Sequence, residues 1–258
     1  MPTETARLRL VTVPCLRDNY AFLLHDDATG RTALVDAPEA EPIRAELERR
    51  GWQLSDILIT HHHDDHVQAV DVLRPGARVI GHRADRHRLP PLDLAVSPGE
   101  ALTVCGEAVE VIDTPGHTIG HLCYHFPRSG VAFTADTLMA LGCGRLFEGT
   151  AAQMWASLRR LAALPPDTIL CSGHEYTEGN ARFALSVDGD NPALQARARA
   201  VAEARARGEP TVPSRLADEL ATNPFLRADD PAIRSALGLA GAPAEEVFAA
   251  LRAAKDRF

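Results

Sequence analysis

Thr60-His61-His62-His63-Asp64-Asp65-His66 gathers four of the chain's 11 histidines and two carboxylates directly behind a short apolar run at residues 56–60. In an extended or tightly looped backbone, residues two apart project to the same side, so His61 and His63 can grip one ion while Asp65 and His66 point elsewhere. The pattern differs from H-E-x-x-H, which needs a helix and ligands four apart. So many imidazoles and carboxylates in one loop would be costly to desolvate without a cation, and the segment reads as a metal-binding loop. His62 and Asp64 fall on the other phase and read as solvent-facing or supporting groups.

Working outward, three more ligand types stand at strand ends followed by turn residues, where a rigid sheet offers side chains to a cleft. They are His117 in Thr114-Pro115-Gly116-His117-Thr118, Asp136 in Thr134-Ala135-Asp136-Thr137, and His174 in Ser172-Gly173-His174-Glu175. With His61, His63, Asp65 and His66 this makes more ligands than the about four one zinc ion takes, which favours two ions over one. If Asp136 bridges, His61, His63 and His117 fall to the first ion and Asp65, His66 and His174 to the second, with room for a shared hydroxide. A donor set of imidazoles and carboxylates without thiolate accepts zinc, iron or manganese alike, and zinc is taken as the first expectation. His25, His82, His87, His121 and His125 read as structural or surface residues.

The N-terminal part alternates short apolar runs with turns: strands at residues 8–13, 21–25 and 32–36, then a helix over 40–50 closed by Gly51, and a strand at 56–60. Further strands are expected at 78–81, 101–104, 107–113, 121–126, 131–134 and 168–172, with a helix over 151–164. Many strands and few helices predict an α+β domain of packed sheets with helices outside, over residues 1–173. From residue 174 onward the chain is rich in Ala, Arg, Glu and Leu. Helices are expected there at 178–187, 192–207, 214–221 and 243–257, with no strand and a loop at 208–213.

The charge balance, 27 Lys and Arg against 35 Asp and Glu, leaves a net −8. That argues against nucleic acid or an anionic membrane as partner, since both call for a basic face. The five cysteines are scattered and odd in number, as expected of reduced thiols. Residues 1–10 lack the apolar core of an export signal and no stretch is long and apolar enough to span a membrane, so a cytoplasmic protein is expected, with a monomer as the default state.

T-H-H-H-D-D-H is an instance of the T-H-x-H-x-D-H signature of the metallo-β-lactamase superfamily, and the T-P-G-H-T, A-D-T and G-H-E elements follow in order. That resemblance implies a four-layered αββα sandwich with metals at one edge. Gly142-Cys143-Gly144-Arg145-Leu146-Phe147, Gly173-His174-Glu175-Tyr176 with Asn180, Thr222-Asn223-Pro224-Phe225-Leu226, and Leu251-Arg252-Ala253-Ala254-Lys255-Asp256 further resemble the glyoxalase II, or hydroxyacylglutathione hydrolase, family over nearly the whole chain. The resemblance implies a glutathione thioester as substrate, S-D-lactoylglutathione above all, and residues 174–258 as the substrate-binding region. It places Tyr176, Arg252 and Lys255, and with them Arg145, against the glutathione moiety. Phe147 stands where some members have a glutathione-contacting Tyr, and Ala135 replaces the usual Gly before the bridging Asp, a change of one methyl from which little effect is expected. On spacing alone, Arg252 and Lys255 share one helix face and read more readily as a solvated surface; the resemblance is what assigns them to the substrate.

The mechanism this implies is attack of a metal-bridging hydroxide on the thioester carbonyl, with Asp65 or Asp136 assisting proton movement. A thiolate of intrinsic pKa about 8.5 leaves without a dedicated acid. The rival within the superfamily is a glutathione persulfide dioxygenase with a single iron held by His61, His117 and Asp136; a non-catalytic metal-binding protein is the reading from another class.

Overall fold

The computed structural model describes residues 7–258; residues 1–6, part of the stretch read as lacking an export signal, lie outside the described residues. Among the described residues two compact units emerge, one of residues 7–113 with 122–133, the other of 114–121 with 134–258.

In the first unit, β1 (Arg9–Cys15), β2 (Asn19–Asp26) and β3 (Arg31–Val35) form an antiparallel meander, and β4 (Leu54–Leu58), β5 (Arg78–His82) and β6 (Leu94–Val96) continue the sheet in parallel. Parallel neighbours need crossovers, and helices supply them. Helix α1 (Ala40–Arg50) links β3 to β4, burying Ile43 and Leu47 and ending at Gly51 in the left-handed conformation (φ 69°). The short helices α2 (Asp64–Val67) and α3 (Val70–Leu73) link β4 to β5. The histidine-rich segment is therefore the exit of a parallel strand, with one helical turn where a loop was expected. A second layer comprises β7 (Leu102–Val104), β8 (Glu107–Asp113), β9 (Leu122–Phe126) and the start of β10 (Val131–Ala135), all antiparallel. Phe133 meets Phe22 of the first sheet at 5.6 Å between ring centroids, and the buried Tyr124 hydroxyl donates to the Ile59 carbonyl at 2.8 Å. That apolar interior fixes where β4 ends, and hence where the histidines begin.

The second unit carries the end of β10, the hairpin β11 (Leu138–Met139) and β12 (Gly142–Cys143), and helix α4 (Ala151–Ala162). Thr150 and Gln153 start α4 with a reciprocal capping box. Next come β13 (Ile169–Ser172), α5 (Thr177–Asp188), α6 (Pro192–Ala206), β14 (Ser214–Arg215), α7 (Leu216–Thr222), α8 (Pro231–Ala236) and α9 (Ala244–Arg257). Phe183, Phe225 and Phe248 stack into the core of the helical part, with Trp155 of α4 against Phe248. Residues 214–215, expected to open a helix, instead pair with Leu170 and Ile169 of β13. Two residues carry no periodicity, so the partner strand decides. Strand β6, the hairpin β11–β12 and helix α8 were likewise too short to show a period.

Candidate metal centre

In the first unit one carboxylate organises the histidine loop. Asp36, just past β3 and itself at φ 57°, accepts from the Thr60 amide at 2.9 Å, the Thr60 hydroxyl at 2.8 Å and His66 Nδ1 at 2.8 Å. Because a carboxylate only accepts, the His66 proton sits on Nδ1 and the Nε2 lone pair is left for a metal. The Thr60 hydroxyl, donating to Asp36, can accept from His61 Nδ1 at 3.0 Å, which directs His61 Nε2 outward in the same way. His61 Nε2 lies 3.1 Å from His63 Nδ1, and His66 Nε2 lies 3.7 Å from Asp65 Oδ2. Asn19 Nδ2 holds both the Asp65 carbonyl, at 3.1 Å, and its Oδ2, at 3.0 Å. His62 turns the other way, 3.3 Å from Asp85, with Arg88 bonded to both, so it braces the loop; Asp64 is exposed.

In the second unit His117, Asp136 and His174 converge from three loops. His117 Nε2 stands 3.4 Å and His174 Nε2 3.3 Å from the same oxygen, Asp136 Oδ2. Two donors each about 2.0–2.1 Å from one tetrahedral ion are about 3.4 Å apart, so that oxygen is spaced to share one ion with each histidine. His117 Nδ1 donates to the Arg145 carbonyl at 2.9 Å, which again makes Nε2 the atom that could ligate a metal. The backbone amide of Asp136 donates to Nε2 of the buried His121, whose Nδ1 meets Thr114 and Thr137 hydroxyls at 2.9 and 3.1 Å. His121 is thus a structural residue under the carboxylate. Gly144 passes so close that a Cβ there would lie 1.9 Å from the Asp136 carbonyl oxygen and 3.1 Å from His117 Nδ1. Ala135 adopts φ 38°, so its methyl is less innocuous than its size suggests: it sits on a left-handed backbone that favours glycine.

The residues read as glutathione contacts all lie in the second unit. Tyr176, 44% exposed, stacks flat on His174 at 4.7 Å, and Phe147, 63% exposed, sets its edge against His117 at 5.2 Å. Arg145 is exposed and reaches Asp256 at 4.0 Å. Lys255 lies over Phe183 and donates to the Gly179 carbonyl at 3.1 Å; burial, then the nearby Arg252, Arg182 and Arg145, hold its pKa below 10.5. Arg252 is the exception among these cations. It is only 4% exposed, and its guanidinium donates to the Cys143 carbonyl at 2.8 Å and to Asp256 at 2.9 Å.

Sequence reasoning passed over Asp36, Asn19 and Asp85. Asp36 stands at a strand end just before Ala37-Pro38, the same signal that marked Asp136, but its partners lie 24 and 30 residues on. The five cysteines are all buried and free, and burial pushes the Cys15 and Cys105 thiols up to about 12. Among the described residues no helix is long and apolar enough to cross a membrane.

The family model of the metallo-beta-lactamase superfamily matches residues 17–174, and that of the hydroxyacylglutathione hydrolase C-terminus matches residues 175–258. A protein of Ruegeria pomeroyi named hydroxyacylglutathione hydrolase is 62% identical, covering 97% of this chain and 99% of that one. One of the same name from Maricaulis maris is 53% identical over 95% and 96%. Among solved structures, the B3 metallo-beta-lactamase BLEG-1 superposes with a TM-score of 0.66 at 23% identity, covering 84% of this chain and 99% of its own. ETHE1 from Myxococcus xanthus gives 0.65 at 24% identity, over 96% and 90%. TTHA1623 in a di-iron-bound form gives 0.53 at 29% identity, over 64% and 91%. The expected α+β metallo-β-lactamase fold with a helical C-terminal region is therefore the observed one. The chain belongs to the hydroxyacylglutathione hydrolase family of the metallo-β-lactamase superfamily.

Proposed function

We propose that the protein hydrolyses S-2-hydroxyacylglutathione thioesters, S-D-lactoylglutathione foremost, to glutathione and the 2-hydroxy acid. The observation that carries this reading is Asp136 Oδ2 standing at 3.4 and 3.3 Å from the outward Nε2 atoms of His117 and His174, in a chain 62% identical to a relative of that name. The all-imidazole and carboxylate donor set fits divalent ions, and the partition read from the sequence is the one we put forward: His61, His63 and His117 on one, Asp65, His66 and His174 on the other, Asp136 shared. Zinc is our first choice for both, with iron the alternative that the di-iron form of TTHA1623 raises. Ions bound there would acidify water from a pKa of 15.7 to about 7 and polarise the thioester carbonyl.

The protein's own groups do the remainder. Asp36 and the Arg145 carbonyl keep the imidazole tautomers correct. Tyr176, Phe147, Arg145 and Lys255 present an aromatic and cationic border suited to a peptide with free carboxylates, with Arg252 behind them. No side chain is needed to protonate the departing thiolate, whose conjugate acid has a pKa of about 8.5. The persulfide dioxygenase reading is not favoured, since the relatives at 53–62% identity carry the hydrolase name.

The test is metal content of the purified protein measured together with loss of the thioester. Two ions per chain and a kcat/KM above about 10⁴ M⁻¹s⁻¹ on S-D-lactoylglutathione are expected. Oxygen uptake with glutathione persulfide and no thioester cleavage would sink the reading.

A further inference from the structure

The hairpin β11–β12 precedes Gly144, Arg145 and Phe147, the residues that touch His117 and Asp136, yet two-residue strands cannot hold a backbone still on their own. Four side chains of the helical part hold it instead. Asn223 Nδ2 donates to the Met139 carbonyl at 3.1 Å and the Gly142 carbonyl at 3.0 Å. Asn180 Nδ2 donates to the Ala140 carbonyl at 3.0 Å. Glu219 Oε2 accepts from the amide of Leu141 at 2.8 Å, and Leu141 is a non-glycine residue held at φ 56°. Arg252 Nη1 donates to the Cys143 carbonyl at 2.8 Å. Every residue from 139 to 143 thus has a backbone polar group bonded to a side chain from α5, α9, or α7 and its C-cap. Glu219 is fully buried, is paired with Arg197 and also accepts from Asn223 at 3.1 Å, so the grips are linked to one another. The fit is tight: a Cβ on Gly142 would lie 2.5 Å from Asn180 Nδ2.

We propose that Asn180, Glu219, Asn223 and Arg252 are positioning residues that clamp this hairpin, and that through the Arg145 carbonyl and Gly144 the clamp aims His117 and seats Asp136 for metal. The helical C-terminal region then has a second task beside receiving substrate: it templates a metal-binding loop. This rests on the metal-dependent reading above but not on the identity of the substrate. A loosened hairpin lets the Arg145 carbonyl leave His117 Nδ1, which frees the ring to turn and to change tautomer. The consequence falls on metal retention and on turnover, not on substrate affinity.

The test compares zinc-loaded full-length Asn223→Ala and Asn180→Ala with Asn191→Ala. Asn191 caps α6 and, although its Nδ2 also donates to the Ala221 carbonyl of α7 at 3.0 Å, it makes no bond to the hairpin, so its replacement destabilises the same helical part while every side-chain bond to the hairpin stays in place. Zinc retained against increasing chelator is measured on each, followed by kcat and KM on the thioester. Asn223→Ala is expected to release zinc at roughly tenfold lower chelator concentration, with kcat falling and KM unchanged, in the range that groups orienting metal ligands carry. Asn180→Ala, which loses one bond, should do so to a lesser degree and carries the test alone if Asn223→Ala does not fold. Asn191→Ala should release zinc as the wild type does despite a lowered Tm. Wild-type retention in both clamp variants, or equally early release from Asn191→Ala, would overturn the proposal. The chelator titration needs no substrate, so a protein whose zinc depends on the clamp but that leaves the thioester intact would refute the proposed function and not this inference.

Discussion

The two regions that carry the candidate metal ligands are built on opposite plans. In the first unit His61, His63, Asp65 and His66 come from one continuous segment, and a single carboxylate, Asp36, orients the first and last histidines through Thr60 and directly. In the second unit His117, Asp136 and His174 come from loops far apart in sequence, and each is oriented by a different device: a backbone carbonyl, a buried histidine and a stacked tyrosine. A continuous cluster can be set by one brace, even one that comes from another strand end. A dispersed one needs the surrounding fold to be rigid, and here the helical C-terminal part supplies that rigidity.

Removing a shared group should hurt most. Asp136→Ala takes the common oxygen from both His117 and His174, so loss of both ions together and a fall of about 10²- to 10³-fold in kcat/KM are expected, corresponding to several kcal/mol of electrostatic stabilisation. Elemental analysis showing one ion retained would mean that Asp136 serves a single metal. On the other side of the comparison, Asp36→Asn keeps the shape but turns an acceptor into a donor facing His66 Nδ1. Metal affinity should drop about 10- to 100-fold with the circular dichroism spectrum unchanged. An Asp36→Asn protein that holds metal normally would show that the loop cluster needs no brace.

The same contrast explains what could be read in advance. The candidate ligands at residues 60–66 were legible because they all sit in one window, and strand ends followed by turn residues marked His117, Asp136 and His174 as further candidates. Helix α1 with Gly51, and strand β8, follow from periodicity and punctuation that tertiary contacts only reinforce. What was hidden depends on partners distant in sequence. Asp36 acts on Thr60 and His66; β14 exists because β13 is beside it; and Arg252, three residues from Lys255, spends its guanidinium on Cys143 and Asp256. Spacing tells which face of a helix a residue occupies, not what that face meets.

Lys255 and Arg252 should therefore separate on mutation, although the sequence treats them as a pair. Lys255→Ala should raise KM about tenfold or more, the worth of a charged hydrogen bond, with kcat within about twofold. Arg252→Ala should lower kcat as well, because it also releases the Cys143 carbonyl. The Lys255 effect has a pH signature. Burial depresses its pKa below 10.5, so the folded protein gives up that proton before the unfolded chain does; stability rises with pH through the window just below 10.5 while the binding charge is being lost. KM should thus climb on the alkaline side, and Lys255→Arg should remove that climb. A KM profile identical in wild type and Lys255→Arg would take Lys255 out of substrate binding.

The smallest effect tests the backbone next to Asp136. Ala135 and Ala132 lie in the same strand and are both buried, but Ala135 alone has a positive φ. Replacing either by glycine loses about 0.8 kcal/mol of methyl burial and about 0.4–1 kcal/mol through the freer unfolded chain. Ala135→Gly also releases about 1–2 kcal/mol of left-handed strain, so its net change should be near zero while Ala132→Gly destabilises. At this chain length the two Tm values should differ by about 2–4 °C per kcal/mol of strain. Equal losses would mean that the turn into Asp136 stores no strain, and that the loops of the second unit owe their geometry to the clamp from the helices alone.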